Sequence, residues 1–186
     1  MAHFFVDLAK KAVESYIEKG EVISPFNNLP KEFFTQRAGT FVTIMKGNEL
    51  RGCIGTYLPT KENIAKEIIA NAIAAATEDY RFGPIQKEEL PYLSYTVYIL
   101  SKPELVKDLK ELNPKKYGII VKTVPISPSG DVVFDGHFVA KTGLLLPDLE
   151  GVDSVEKQIS IACHKGGINP IVEKILIYKF TAKKYQ

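Results

Sequence analysis

The sequence predicts an α+β protein with a largely antiparallel sheet flanked by helices. Three observations carry this. Apolar residues recur at helical spacing near 4–19, 60–79 and 153–166; alternating or β-branched runs at 39–46, 49–56, 93–100, 118–124 and 174–180 read as strands. The strands are joined mostly by short turns, without the regular strand–helix–strand alternation that builds a parallel sheet.

In chain order, Phe5, Leu8, Ala9, Ala12, Val13, Tyr16 and Ile17 make one face of a helix over Phe4–Lys19, which Gly20 stops. Pro25 and Asn27-Asn28 mark a surface connection, and Pro30 opens a short helical turn through Phe33 and Phe34. Gly39–Lys46 and Glu49–Thr56 are the arms of a hairpin around Gly47-Asn48. Pro59 ends the second arm, and Thr60 is the expected N-cap of a helix to Asp79 with Glu62 in its first turn. Leu93–Leu100 is a third strand, and Ser101-Lys102-Pro103 opens a short helical segment toward Leu109 that Asn113-Pro114 breaks. Gly118–Val124 is a β-branched strand, and Asp135-Gly136 between Val132–Phe134 and His137–Val139 reads as a hairpin. Gly143–Pro147 is a short buried element. Asp153 and Glu156 have capping-box spacing for a helix to Gly166-Gly167, and Lys174–Phe180 is the last strand before a polar tail.

At 186 residues the chain is long enough for a proper core and fits one domain. A net charge of +2, with Lys and Glu spread throughout, lacks the footprint of a phosphate-backbone binder and argues against nucleic acid. No apolar run is long enough to span a bilayer, and Asp7 interrupts any signal-peptide core, so a cytoplasmic protein is expected. The two cysteines form neither a C-x-x-C pair nor a secreted framework, so both read as free thiols.

Leu50–Thr56, LRGCIGT, holds the densest chemistry. In an extended strand Arg51 and Cys53 share a face, setting a fixed positive charge beside a sulfur. Gly52 and Gly55 let a backbone or ligand approach closely. Cys53 has two readings: a nucleophilic thiolate favoured by the guanidinium, or a small buried hydrophobe. Arg51 either clamps a carboxylate or phosphate, or pairs with Asp79, Glu78 or another acid near the end of the following helix. Asp79 and Arg81 either line the site or tie the helix end to the sheet. The free N–H groups opening that helix are expected to face Arg51, where an anion site would form. Cys163 and His164, adjacent on a helix, diverge by about 100°. With Cys53 and His137 they give no zinc spacing, so no metal is expected.

LRGCIG resembles the motif of the AMMECR domain family, also known as AmmeMemoRadiSam system protein A. The resemblance extends through Gly39–Thr43, Asn71-Ala72, Ala75-Ala76, Asp79, Arg81-Phe82, Pro84, Glu89-Leu90, Tyr117–Val121, Gly143–Pro147, Glu150–Val152 and Lys165–Ile168. It implies that 1–186 is a single domain of two unequal, interleaved lobes with a cleft between them and a functional LRGCIG segment. It also implies company, because bacterial relatives stand beside or are fused to Memo-like and radical S-adenosylmethionine (radical SAM) proteins. Tyr80 departs from a proline common in relatives, and Lys122–Thr142 is longer than the family's link, so His137 within it takes no family role.

Taken together, these readings give a cytoplasmic accessory enzyme or ligand-binding protein for a small anionic or nucleotide-like molecule. Cys53 is its nucleophile or redox thiol and Arg51 its anion clamp; Gly52, Gly55, Thr56, Asp79 and Arg81 complete the ligand site. No cofactor is named by the residues. The alternative is a non-catalytic interaction module whose LRGCIG strand is a structural platform.

Overall fold

The computed structural model describes residues 4–27, 29–126 and 139–186. In chain order they form α1 (Phe4–Lys19), α2 (Glu32–Thr35), β1 (Thr40–Lys46), β2 (Glu49–Gly55), α3 (Ile64–Thr77), a 3-10 turn (Lys87–Tyr92) and β3 (Leu93–Leu100). Then follow β4 (Glu104–Leu105), a second 3-10 turn (Leu109–Glu111), β5 (Gly118–Thr123), β6 (Thr142–Leu145), α4 (Val155–Lys165), β7 (Ile175–Phe180) and β8 (Ala182–Tyr185). The chain divides into two compact units, Met1–Lys102 with Lys183–Gln186, and Pro103–Ala182.

The first unit holds a four-stranded sheet in the order β2-β1-β3-β8, with α1 and α3 against one face. Val42, Ile44, Tyr95 and Val97 alternate inward from β1 and β3 to meet Leu8, Ala12 and Val13 of α1 and Ile68 and Ala72 of α3. Phe5 sits edge-on to both Phe33 and Tyr185, with ring centroids 4.3 and 4.5 Å apart, so the chain end closes this core. The second unit has its own sheet, β4-β7-β5-β6, and a core of Ile119, Val121, Leu145, Ala162 and Cys163. The described ladders are antiparallel.

Several local expectations change. Asn63, not Thr60, caps α3, its Oδ1 accepting from Lys66 N–H, because Thr60 is bent back onto a carboxylate inside the helix. Ser154 rather than Asp153 caps α4, accepting from Lys157 N–H. The helical segment expected from residues 101–103 toward Leu109 instead yields β4, since the open edge of β7 offers backbone partners: Glu104 and Leu105 pair with Lys179 and Tyr178, leaving only Leu109–Glu111 helical. The polar tail is a strand, β8, because Tyr185 has a core to enter. The hairpin around Asp135-Gly136 and His137 lies outside the described residues.

Alanine-rich α3 crosses the edge strand β2 at Gly52, where a Cβ would drive into the backbone carbonyl of Ala75. Helix and strand touch backbone to backbone. Gly143 of β6 meets the Ala162 carbonyl of α4 in the same way. We predict that Gly52→Ala costs about 2 kcal/mol or more, as overpacking typically does. By contrast, Gly83→Ala, with open space around it, stays within about 0.5 kcal/mol of wild type. Urea denaturation of the two variants checks the contrast.

Candidate functional site

β2 is the outer strand of its sheet, so the N–H and C=O of Cys53 lack a strand partner. Two side chains supply one. Asp79 Oδ2 accepts from Cys53 N–H at 2.9 Å, and Arg81 Nη2 donates to the Cys53 carbonyl at 3.3 Å. The two are themselves joined, Arg81 Nε to Asp79 Oδ1 at 2.9 Å and Nη2 to Oδ2 at 2.7 Å. A carboxylate–guanidinium pair thus stands where another strand would bond, tying the end of α3 to the sheet. Asp79 is 5% exposed, whereas the Arg81 side chain is 45% exposed and its Nη1 makes no hydrogen bond among the described residues.

With Gly52 turned toward α3, Cys53 points to the opposite face. Its Sγ lies 3.3 Å from Oγ1 of Thr43, its cross-strand neighbour, and the thiol is partly exposed. Burial raises the Tyr98 phenol, with neighbouring Cys53 adding to the shift. Thr43 therefore contacts the thiol, and Tyr98 and Arg81 lie near enough to interact with it electrostatically.

Arg51 is placed differently from the sequence reading. The ladder skips it: Gly52 pairs with Ile44 and Leu50 with Met45, leaving a bulge at Arg51 that breaks strict alternation. Its guanidinium grips Glu89 bidentately, Nε to Oε2 and Nη2 to Oε1 both at 2.9 Å, and donates to the carbonyls of Gly83 at 2.8 Å and Pro84 at 3.2 Å. Neither Glu78 nor Asp79 is the partner. The acid comes from the 3-10 turn before β3, ten residues beyond Asp79. Arg51 is 17% exposed and four of its hydrogen bonds are filled by protein.

The start of α3 does not face Arg51. Gly52 meets Ala75, near the helix's other end, so Arg51 belongs to the C-terminal end and the expected anion site at the helix start does not form there. What gathers at the start is a network that includes Thr56. Glu67, 1% exposed, accepts from the hydroxyls of Thr56 at 2.7 Å and Thr60 at 2.9 Å, and from the N–H groups of Thr60 and Lys61, each at 2.7 Å. Asn71, one turn on, donates to the Thr40 carbonyl and hydroxyl. Gly55 lies under the Phe41 ring. Glu67, Asn71 and Glu89 lie outside the site residues expected from sequence, although a signal exists for two of them: Glu67 and Asn71, four apart, are polar positions on the buried side of an apolar helix.

Cys163 is 2% exposed, and burial raises its thiol above the ordinary range, while adjacent His164 is exposed. Among the described residues no group of three or more His, Cys, Asp or Glu side chains is placed to hold a metal ion, and no helix is long and apolar enough to cross a membrane.

Comparison with known proteins agrees with this fold. The AMMECR1 family profile matches residues 6–185. The chain belongs to the AMMECR1 family. A protein of Thermotoga maritima is 48% identical over 185 residues, covering 99% of this chain and 98% of that one. A protein of Clostridium acetobutylicum is 39% identical over 183 residues, covering 98% of this chain but 36% of its own longer sequence. The crystal structure of an uncharacterized protein from Pyrococcus horikoshii superposes with a TM-score of 0.81 at 31% identity, over 97% of this chain and 88% of that one.

In this AMMECR1-family chain the two carboxylates behind β2 are held strongly acidic. The Arg81 hydrogen bonds bring Asp79 down to about 2 against the opposing effect of burial, and those of Arg51 bring Glu89 to about 2. Because both folded values lie below the unfolded ones, their stabilisation is complete above about pH 5 and is lost as pH falls from about 4.5 through 2. We predict that Asp79→Asn lowers stability at pH 7 by about 2 kcal/mol and flattens the loss between pH 5 and pH 2, read by thermal unfolding across that range.

Proposed function

We propose that this chain is a cytoplasmic accessory enzyme or ligand-binding protein that takes a small anionic or nucleotide-like molecule at the Cys53 strand, working with Memo-like and radical SAM partners. The observation that carries the reading is the Cys53 thiol, partly exposed on a strand whose backbone Asp79 and Arg81 hold on the outer side. A thiol fixed this way loses little freedom when it meets a ligand.

The cation for the anion is Arg81 rather than Arg51. Detaching Arg51 from Glu89 would break a largely buried bidentate pair at about 3–5 kcal/mol. The Arg81 side chain is 45% exposed and its Nη1 makes no hydrogen bond among the described residues, so it can take an anion without giving up Asp79. Arg51 and Glu89 then position the strand, and Gly52, Gly55 and Thr56 serve through packing and the Glu67 network. For partners, support comes from the Clostridium relative, which carries the matched region within a much longer chain.

The test is alkylation of the native protein by iodoacetamide, read by peptide mass spectrometry with buried Cys163 as internal control. Cys53 is expected to react at neutral pH while Cys163 reacts only after unfolding. AMP or inorganic phosphate is expected to slow the reaction several-fold in wild type and not in Arg81→Ala. A Cys53 that stays inert until the protein unfolds would overturn this reading in favour of a structural platform for a protein partner.

A further inference from the structure

Away from the Cys53 strand, a groove of about 450 Å³ opens between the end of α1, the segment 22–25 and the outer face of α3. Its volume falls within the range of small-molecule sites, about 300–1,000 Å³. Ile23, Ile69 and Ile73 give it apolar walls, with the ring of Tyr16 beside them. Val22 at its edge is 65% exposed, an uncovered apolar surface continuous with the groove. The charged groups lining it are both cations, Lys61 and Lys66.

The two lysines are not equivalent. Lys66 pairs with exposed Glu62 one turn earlier, a solvent-screened contact that a ligand exchanges easily. Lys61 takes part in none of the ion pairs found among the described residues. Its peptide is nevertheless pinned on both sides: the N–H donates to buried Glu67 at 2.7 Å, and the carbonyl accepts from Arg37 Nε at 3.0 Å. The base of this lysine is therefore fixed while its ammonium remains available. An apolar trough ending in such a cation complements a molecule with an apolar body and one anionic end.

We infer that the groove between α1 and α3 is a binding site for a small amphiphilic anion, an acyl chain or comparable apolar body lying over Ile69 and Ile73 with its carboxylate or phosphate at Lys61. The site shares no residue with the Cys53 strand, so the two assignments stand or fall separately.

Isothermal titration of the whole chain with decanoate tests it, with n-decylamine as a probe of equal chain length and opposite charge. Decanoate is expected to bind saturably, one per chain, and decylamine at least tenfold more weakly. Lys61→Glu is expected to weaken decanoate about tenfold with an unchanged melting temperature. Ala70→Phe, which fills the groove from α3, is expected to abolish binding. Cys53→Ser leaves it unchanged. Should Ala70→Phe fail to fold, Lys61→Glu, on an exposed side chain, still decides. Equal binding of decanoate and decylamine, wild-type affinity in Lys61→Glu, or binding of an acidic amphipathic peptide with none of decanoate would each overturn the assignment, the last in favour of a protein partner.

Discussion

The first unit depends on how closely α3 lies over β2. An edge strand has one ladder of hydrogen bonds and needs something else to hold its outer side. Here α3 lies against the face of the strand and brings its flanking residues to that outer side, coming close enough only because Gly52 has no side chain opposite the Ala75 carbonyl. With that contact made, the residues just past the helix end, Asp79 and Arg81, reach the Cys53 peptide, and a residue one turn into the helix, Glu67, reaches Thr56 after the strand. The strand is thus held by backbone contact at Gly52 and by polar side chains at Cys53 and, just past its C-terminal end, at Thr56.

Each polar group in this arrangement is accounted for by chemistry that tolerates burial. Among the described residues Glu67 has no cation partner and is instead surrounded by two hydroxyls and two peptide N–H groups, the kind of set that lets a buried carboxylate persist. Arg51 is met by a bidentate carboxylate and two carbonyls, a match to the planar fork of the guanidinium that lysine would not reproduce. Much of the LRGCIG segment therefore builds the support, and the thiol is what the support presents.

This division of labour separates the two arginines nearest the thiol. Arg51, inside the motif, gives its donors to protein; Arg81, outside it, bonds Asp79 and Cys53 through Nε and Nη2 while its side chain stays 45% exposed. The distinction follows from where each Cα sits: Arg51 on a bulged strand turned toward the 3-10 turn, Arg81 on the segment after α3 that reaches back over the strand edge.

Local pattern determined a great deal. The helical stripe of α1, the hairpin of β1 and β2 around Gly47-Asn48, the alternation of β3 and β7, and the α+β class all follow from periodicity and turn chemistry that act within a few residues. Membership of the AMMECR1 family was legible for the same reason, in short motifs spread along the chain. What the tertiary structure decided was every long-range pairing. That Arg51 meets Glu89 across thirty-eight residues, that Asp79 caps the Cys53 peptide as well as pairing with Arg81, that 182–185 is a strand and 104–105 another, depends on which elements pack together. Sequence spacing encodes the reach of a helical turn or a hairpin; it does not encode which distant carboxylate a folded chain brings to a buried guanidinium.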